Sequence, residues 1–144
     1  MTVAAILKHK GPDVVSVRPT DTISRVAHVL SDRRIGAALV EDAADQILGI
    51  VSERDIVRAL AEHGERTLGM TAAQLMTRDL RTVGPQATVS EAMSIMTEGR
   101  MRHLPVLKDG RLLGIVSIGD VVKARLMQQE CEVDSLKAYV AGAA

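Results

Sequence analysis

The sequence predicts a mixed α/β fold of the α+β kind, built from two copies of strand-helix-strand-strand-helix. Three observations predict it. The first is an internal repeat: Val17-Arg18-Pro19 matches Val83-Gly84-Pro85, Thr22 matches Thr88, Ser24 matches Ser90 and Val40 matches Val106, all at an offset of 66. The second is that both copies close alike, Gly49-Ile50-Val51-Ser52 with Asp55 and Gly114-Ile115-Val116-Ser117 with Asp120, at an offset of 65. One residue has been gained or lost between, where Asp42-Ala43-Ala44-Asp45 stands against Lys108-Asp109-Gly110. The third is that short apolar runs alternate with helical stripes along each copy.

Taken in order, a short strand (Val14 to Val17; Leu80 to Val83) leads to a proline. A helix follows from Thr22 to about Arg33 and from Thr88 to about Glu98. Val89, Ala92, Met93 and Met96 form an i, i+3, i+4, i+7 stripe, and Thr88 with Glu91 spells a capping box. An apolar strand comes next (Ile35 to Val40; Leu104 to Leu107), then a polar turn and a third strand (Ile47 to Val51; Leu112 to Val116). A second helix starts from Asp55 or Asp120, and the first of these stops at Gly64, a residue suited to a C-terminal cap. Thr67 to Met76 bridges the copies, with a short helix near Ala72. The domain boundary falls between 70 and 71: residues 1–70 hold the first copy and an N-terminal segment, and 71–144 hold the second copy and a longer C-terminal helix.

A copy of about 50 residues buries its surface poorly, so two copies related by a pseudo-twofold are expected to share one core. Beyond Asp120, Val122, Leu126, Gln129, Val133, Leu136 and Val140 recur at spacings of four and three. That is a heptad-like seam with one polar member, which either packs back on the chain's own body or pairs with a partner helix. Tyr139 lies off it.

Composition excludes several functions. Lys plus Arg number 18 and Asp plus Glu 18, so no net charge draws the chain to nucleic acid or anionic lipid. There is no Trp or Phe, and Tyr139 is the one aromatic, so no platform exists for stacking bases. No 18-residue apolar run suggests a membrane span. Val3 to Ile6 is too short for a signal peptide and runs into Lys8-His9-Lys10, a solvated charge run. The one cysteine, Cys131, cannot form an internal disulfide, which suggests the cytoplasm. His9, His28, His63 and His103 are scattered, without metal-ligand spacing. Gly-x-Ser-x-Gly, a phosphate loop and Gly-x-Gly-x-x-Gly are all missing. An enzyme acting on a bound nucleotide is therefore disfavoured, and no catalytic cofactor is expected.

Ser52-x-x-Asp55 and Ser117-x-x-Asp120 have two readings. Ser-x-x-Asp before a helix resembles a capping box, which more often ends in Glu or Gln. The same turn also offers backbone N–H groups at a helix start. A carboxylate there can accept two hydrogen bonds from a vicinal diol such as ribose, with the serine hydroxyl beside it and a flat heterocycle against the apolar strand.

Together these residues resemble a pair of cystathionine-beta-synthase (CBS) domains, over roughly Val3 to Gln128. The resemblance implies a stand-alone CBS-pair (Bateman) module that binds an adenosine-containing ligand in the cleft between the repeats. AMP leads, with NAD(H), ATP, ADP and S-adenosylmethionine behind it. It implies that Asp120 and Ser117 hold one ribose, and that Asp55 and Ser52 can hold another. Thr82 and Val83, or Ser16 and Val17, would flank the adenine. Arg102 and His103 would meet the phosphate, as suits a planar guanidinium fork. The first copy has Gly36 and Ala37 at those two places, so the Asp55 site is expected to be the weaker one. Arg54 would reach the phosphate of a neighbouring site. The resemblance further implies a flat homodimer, for which Val57, Leu60 and Ala61 are a candidate stripe, and a non-catalytic sensor of cellular energy state read by an unidentified regulated protein. Blander roles exist for each: Arg54 as a solvated first-turn residue, His103 as a structural histidine, Arg34 and Arg100 as packing residues. On those, the protein is a dimeric adaptor without nucleotide, and both aspartates are caps.

Overall fold

Each described α-helix begins directly after a serine or threonine, and the elements follow from those marks. The computed structural model describes residues 1–11 and 13–143. In order the elements are α1 (Val3–Lys10), β1 (Ser16–Val17), α2 (Ile23–Arg33), β2 (Ala37–Glu41), β3 (Ile47–Ser52), α3 (Glu53–His63), a 3-10 segment (Gly64–Gly69), α4 (Ala72–Leu75), α5 (Val89–Gly99), β4 (His103–Lys108), β5 (Arg111–Ser117) and α6 (Ile118–Ala143). This is the mixed α/β architecture the repeat predicts. Thr22 caps α2 by accepting from the Arg25 amide, and Thr88 with Glu91 makes the expected capping box on α5.

The chain forms two compact units, Asp13–Leu80 and Met1–Pro12 with Arg81–Ala144. These do not divide at 70/71, because α1 packs with the second copy and α4 with the first. The Val3 and Ala4 amides donate to the Ala87 and Pro85 carbonyls at 2.8 Å each. In the other unit the Ala72 and Ala73 amides do the same to Asp21 (2.8 Å) and Pro19 (3.0 Å). Each repeat thus borrows the helix that precedes its sister in the sequence. The borrowed helix completes a separate apolar cluster in each unit. One includes Val17, Ile23, Val26, Leu30, Val40, Val51 and Ala72. The other includes Val3, Ile6, Val89, Met96, Leu104, Val116 and Val121.

In the first unit β1 runs parallel to β2, and β2 antiparallel to β3. In the second, β4 and β5 form the antiparallel pair, and the expected strand over Leu80 to Val83 shrinks to one parallel bridge, Val83 to Val106. Proline explains the loss. Leu39 donates its amide to the Val15 carbonyl at 3.2 Å, and its counterpart Pro105 has no N–H to donate. Strand β2 begins at Ala37, two residues later than expected, and β4 at His103, one residue earlier than Leu104; the helices before both end in Schellman turns. The Ile35 amide returns to Leu30 and that of Met101 to Met96, each at 3.0 Å. Arg34 and Arg100 are the left-handed residues of those turns, at φ 55° and 51°.

Gly49 and Gly114 are buried where the borrowed segment crosses the strand. A Cβ on Gly49 would stand 2.6 Å from the Thr77 carbonyl oxygen, and one on Gly114 would stand 2.8 Å from Leu7 Cδ2. The repeated glycine is therefore a close-approach position. Helix α6 buries Val121 and Ala124, but residues 129–142 are all exposed. Its seam does not pack back on the chain's own body.

Candidate functional site

The repeated Ser-x-x-Asp sits at the junction of the last strand and the helix after it. Helices α3 and α6 begin directly after the serine, two residues earlier than read from sequence, since Asp55 and Asp120 are the third residues of their helices rather than the first. Both motifs close as capping boxes with Asp in the usual place of Glu. The Ser52 amide donates to Asp55 Oδ2 at 2.9 Å, and the Asp55 amide to Ser52 Oγ at 3.3 Å. The Ser117 amide donates to Asp120 Oδ2 at 2.9 Å, and the Asp120 amide to Ser117 Oγ at 3.1 Å. The first helical amides are also used: Glu53 donates to the Gly36 carbonyl at 2.9 Å and Ile118 to the Arg102 carbonyl at 2.7 Å. Fewer amides are therefore left for a ligand than the motif alone suggests, while both carboxylates stay partly exposed.

That last bond ties Arg102 to the start of α6. Register does the same for His103, which is paired with Ser117 across β4 and β5. Arg102, His103, Ser117 and Asp120 are thus gathered at one end of one unit. At the equivalent end of the other, Ala37 is paired with Ser52, and Gly36 supplies no side chain. Of the other expected residues, Val17 and Val83 are buried among core side chains, whereas Ser16 and Thr82 are exposed. Arg54 is exposed on the first turn of α3. Val57, Leu60 and Ala61 form an exposed stripe on the same helix.

One residue was missed. Lys10, read as part of a solvated run, donates from Nζ to Asp120 Oδ2 at 2.8 Å and to the Ile115 carbonyl at 3.0 Å. Burial pushes the Asp120 carboxyl up, but the Lys10 ammonium and the Ser117 amide and hydroxyl outweigh it, so the group sits below the usual carboxylate range. The only sequence hint is the faint match of Thr2-Val3-Ala4 to Thr71-Ala72-Ala73, which says that α1 docks as α4 does.

A cavity of about 460 Å³ opens in front of this pair, between α1 and α6. Ala5, Ile6, Ala124 and Met127 give it an apolar wall; His9, Lys10, Lys123 and Asp120 give it charge. Its size suits a small ligand. In the other unit a groove of about 560 Å³ runs beside α2 and α3, past Arg34, Glu53 and Val57, and does not include Asp55. Among the described residues no cluster of His, Cys, Asp or Glu could hold a metal ion.

The chain is thus a tandem repeat of one α/β unit, with a Ser–Asp capping box between the last strand and the last helix of each copy. The CBS domain family model matches residues 4–62 and 72–127, and the chain belongs to that family, carrying the domain twice. It is 33% identical over 149 residues to the mitochondrial CBS domain-containing protein CBSX3 of Arabidopsis thaliana, covering 98% of this chain and 72% of that one. A crystal structure of a CBS-domain containing protein from Agrobacterium tumefaciens superposes with a TM-score of 0.85 at 45% identity, over 86% of this chain and 92% of that one. A hexameric CBS-CP12 protein from bloom-forming cyanobacteria gives a TM-score of 0.74 at 26% identity, over 85% of this chain and 69% of that one. CBS pairs are generally regulatory or sensor modules, and no catalytic family is indicated. Among the described residues no helix is long and apolar enough to cross a membrane.

Proposed function

We propose that this CBS pair is a non-catalytic regulatory module that binds an adenosine-containing ligand, AMP first and NAD(H), ATP or ADP after it. Asp120 is its ribose-holding carboxylate. What supports this most is the asymmetry of charge around two otherwise equal carboxylates. Asp120 borders a cavity with three basic side chains and has Arg102 and His103 near the start of its helix. Asp55 has Gly36 and Ala37 instead. A dianionic phosphate favours the first environment, and an apolar wall beside it suits the base. Ser117 orients the carboxylate; Asp55 with Ser52 is a weaker second site, and Arg54, Ser16, Thr82, Val17 and Val83 are secondary. The module works as a homodimer in the cytoplasm, and ligand changes how a regulated protein reads it.

A second reading has an observation of its own. Both aspartates are engaged in capping boxes, and Asp120 already has a cation. On that reading the protein is an adaptor without nucleotide.

The test is calorimetric titration of AMP into protein stripped of bound nucleotide. With one Tyr and no Trp the protein absorbs weakly at 280 nm, so co-purified adenine stands out at 260 nm. Asp120→Asn retains an oxygen for the cap but loses the charge, and is expected to weaken AMP by about tenfold or more, Asp55→Asn by much less. No heat with AMP, ADP, ATP, NAD or S-adenosylmethionine would leave the adaptor reading in its place.

A further inference from the structure

Helix α6 outruns the unit that anchors it. Val121 and Ala124 are its last fully buried residues, at 0% and 5% exposure, and residues 129–142 are all exposed. On that length, Val133 is 49% exposed, Leu136 63% and Val140 60%, continuing a row that begins at Val122 and Leu126. At about 100° per residue, this row lies roughly opposite the face that buries Val121 and Ala124. Among the described residues nothing covers it.

The row fits a second copy of the same helix. Its spacing of four and three sets a heptad, with Leu126, Val133 and Val140 at a and Val122, Gln129 and Leu136 at d. Val133 and Val140 put β-branched valine at two of the three a positions and Leu136 puts leucine at one d position, a pattern that favours two parallel strands. The flanking charges agree. In a parallel pair, the g positions Arg125 and Glu132 meet the partner helix's e positions Glu130 and Lys137, so every such pair is attractive. In an antiparallel pair centred on the same stretch, Glu130 would meet Glu130 and Lys123 would meet Lys137, both repulsive. Cys131 falls at f, away from the seam.

We propose that α6 is a self-association element that forms a parallel, in-register two-stranded coiled coil with α6 of a second copy. At less than three heptads the coil is too short to stand alone, so its hold is concentration-dependent and relies on the folded unit at its base. It is distinct from the Val57, Leu60 and Ala61 stripe and does not depend on nucleotide binding.

Sedimentation equilibrium on the full chain over a concentration series tests this. Val133→Asp with Leu136→Asp is expected to halve the assembly mass at the higher concentrations. The substituted positions are exposed, so the thermal transition of the folded units should not move. Glu132→Lys should weaken the assembly, and adding Lys137→Glu should restore it. In a Cys131→Ser background, Val140→Cys should give an oxidised, disulfide-linked dimer, since a parallel coil sets residue 140 against itself. A mass that is the same for wild type and the double aspartate variant, or no cross-link through residue 140, would overturn the proposal.

Discussion

The two units share one skeleton, a single loop residue apart, yet close it by different means. In Asp13–Leu80 the borrowed helix is a single turn, and the backbone then crosses β3: Thr77 donates to the Ile50 carbonyl at 2.8 Å and accepts from the Ile50 amide at 3.1 Å. In the other unit the borrowed helix runs on to Lys10, and the Lys10 ammonium donates to the carbonyl of Ile115, the counterpart of Ile50. A side-chain amine thus stands where a backbone amide stands in its sister. Because the amine sits on a flexible stem, it also reaches Asp120. One copy is thus locked by backbone, while the other is held by a group that can be displaced.

The largest expected effect comes from the two close-approach glycines. Alanine at 49 drives a Cβ into a carbonyl oxygen held at both ends of a backbone bridge, which cannot yield without breaking it. Alanine at 114 meets only the far end of the Leu7 side chain, which can rotate. Overpacking of this kind costs about 1 to 3 kcal/mol. Gly49→Ala should fall at the top of that range and Gly114→Ala at the bottom, read as chemical-denaturation midpoints. Equal losses would mean that α1 is pinned as firmly as the Thr77 segment.

Removing the amine is the next largest. Lys10→Met keeps most of the apolar stem and should cost about 1 kcal/mol near neutrality, since the pair is partly exposed. The pH dependence gives the sign. Asp120 titrates below the ordinary carboxylate range in the folded chain, so its pairing stabilises fully above that range. The stabilisation is lost as pH falls through the depressed folded value. The gap between wild type and Lys10→Met should therefore be widest at neutral pH and shrink in acid. A gap unchanged in acid would assign the loss to the Ile115 bond rather than to Asp120.

The contrast between the units also explains what was legible in the sequence. Helices α2 and α5 were readable because apolar stripes and threonine caps are local signals. The pairing of His103 with Ser117 follows once the repeat fixes which strands are neighbours. Helices α3 and α6 start before Asp55 and Asp120 because a capping box puts its acid inside the helix, not at its edge. The strand at Leu80 to Val83 failed through Pro105, whose missing amide matters only once the partner strand is known. Lys10 was invisible for a similar reason: its carboxylate lies 110 residues away, and the contact exists only because α1 serves the distant copy.

The smallest expected effect tests where the two units are most alike. Arg34 and Arg100 both hold a left-handed conformation, which costs a residue with a Cβ about 1 kcal/mol and glycine almost nothing. Glycine adds back some of that through the greater freedom of the unfolded chain. Both side chains are exposed. Arg34→Gly and Arg100→Gly should each therefore stabilise by about 0.5 kcal/mol, seen as a small rise in Tm. The backbone around the two is so similar that their shifts should agree. If one substitution destabilises while the other does not, the strain at that turn is held by a contact of its guanidinium. Arg34, on the groove between α2 and α3, is then the position to compare with Arg100 in the presence and absence of AMP.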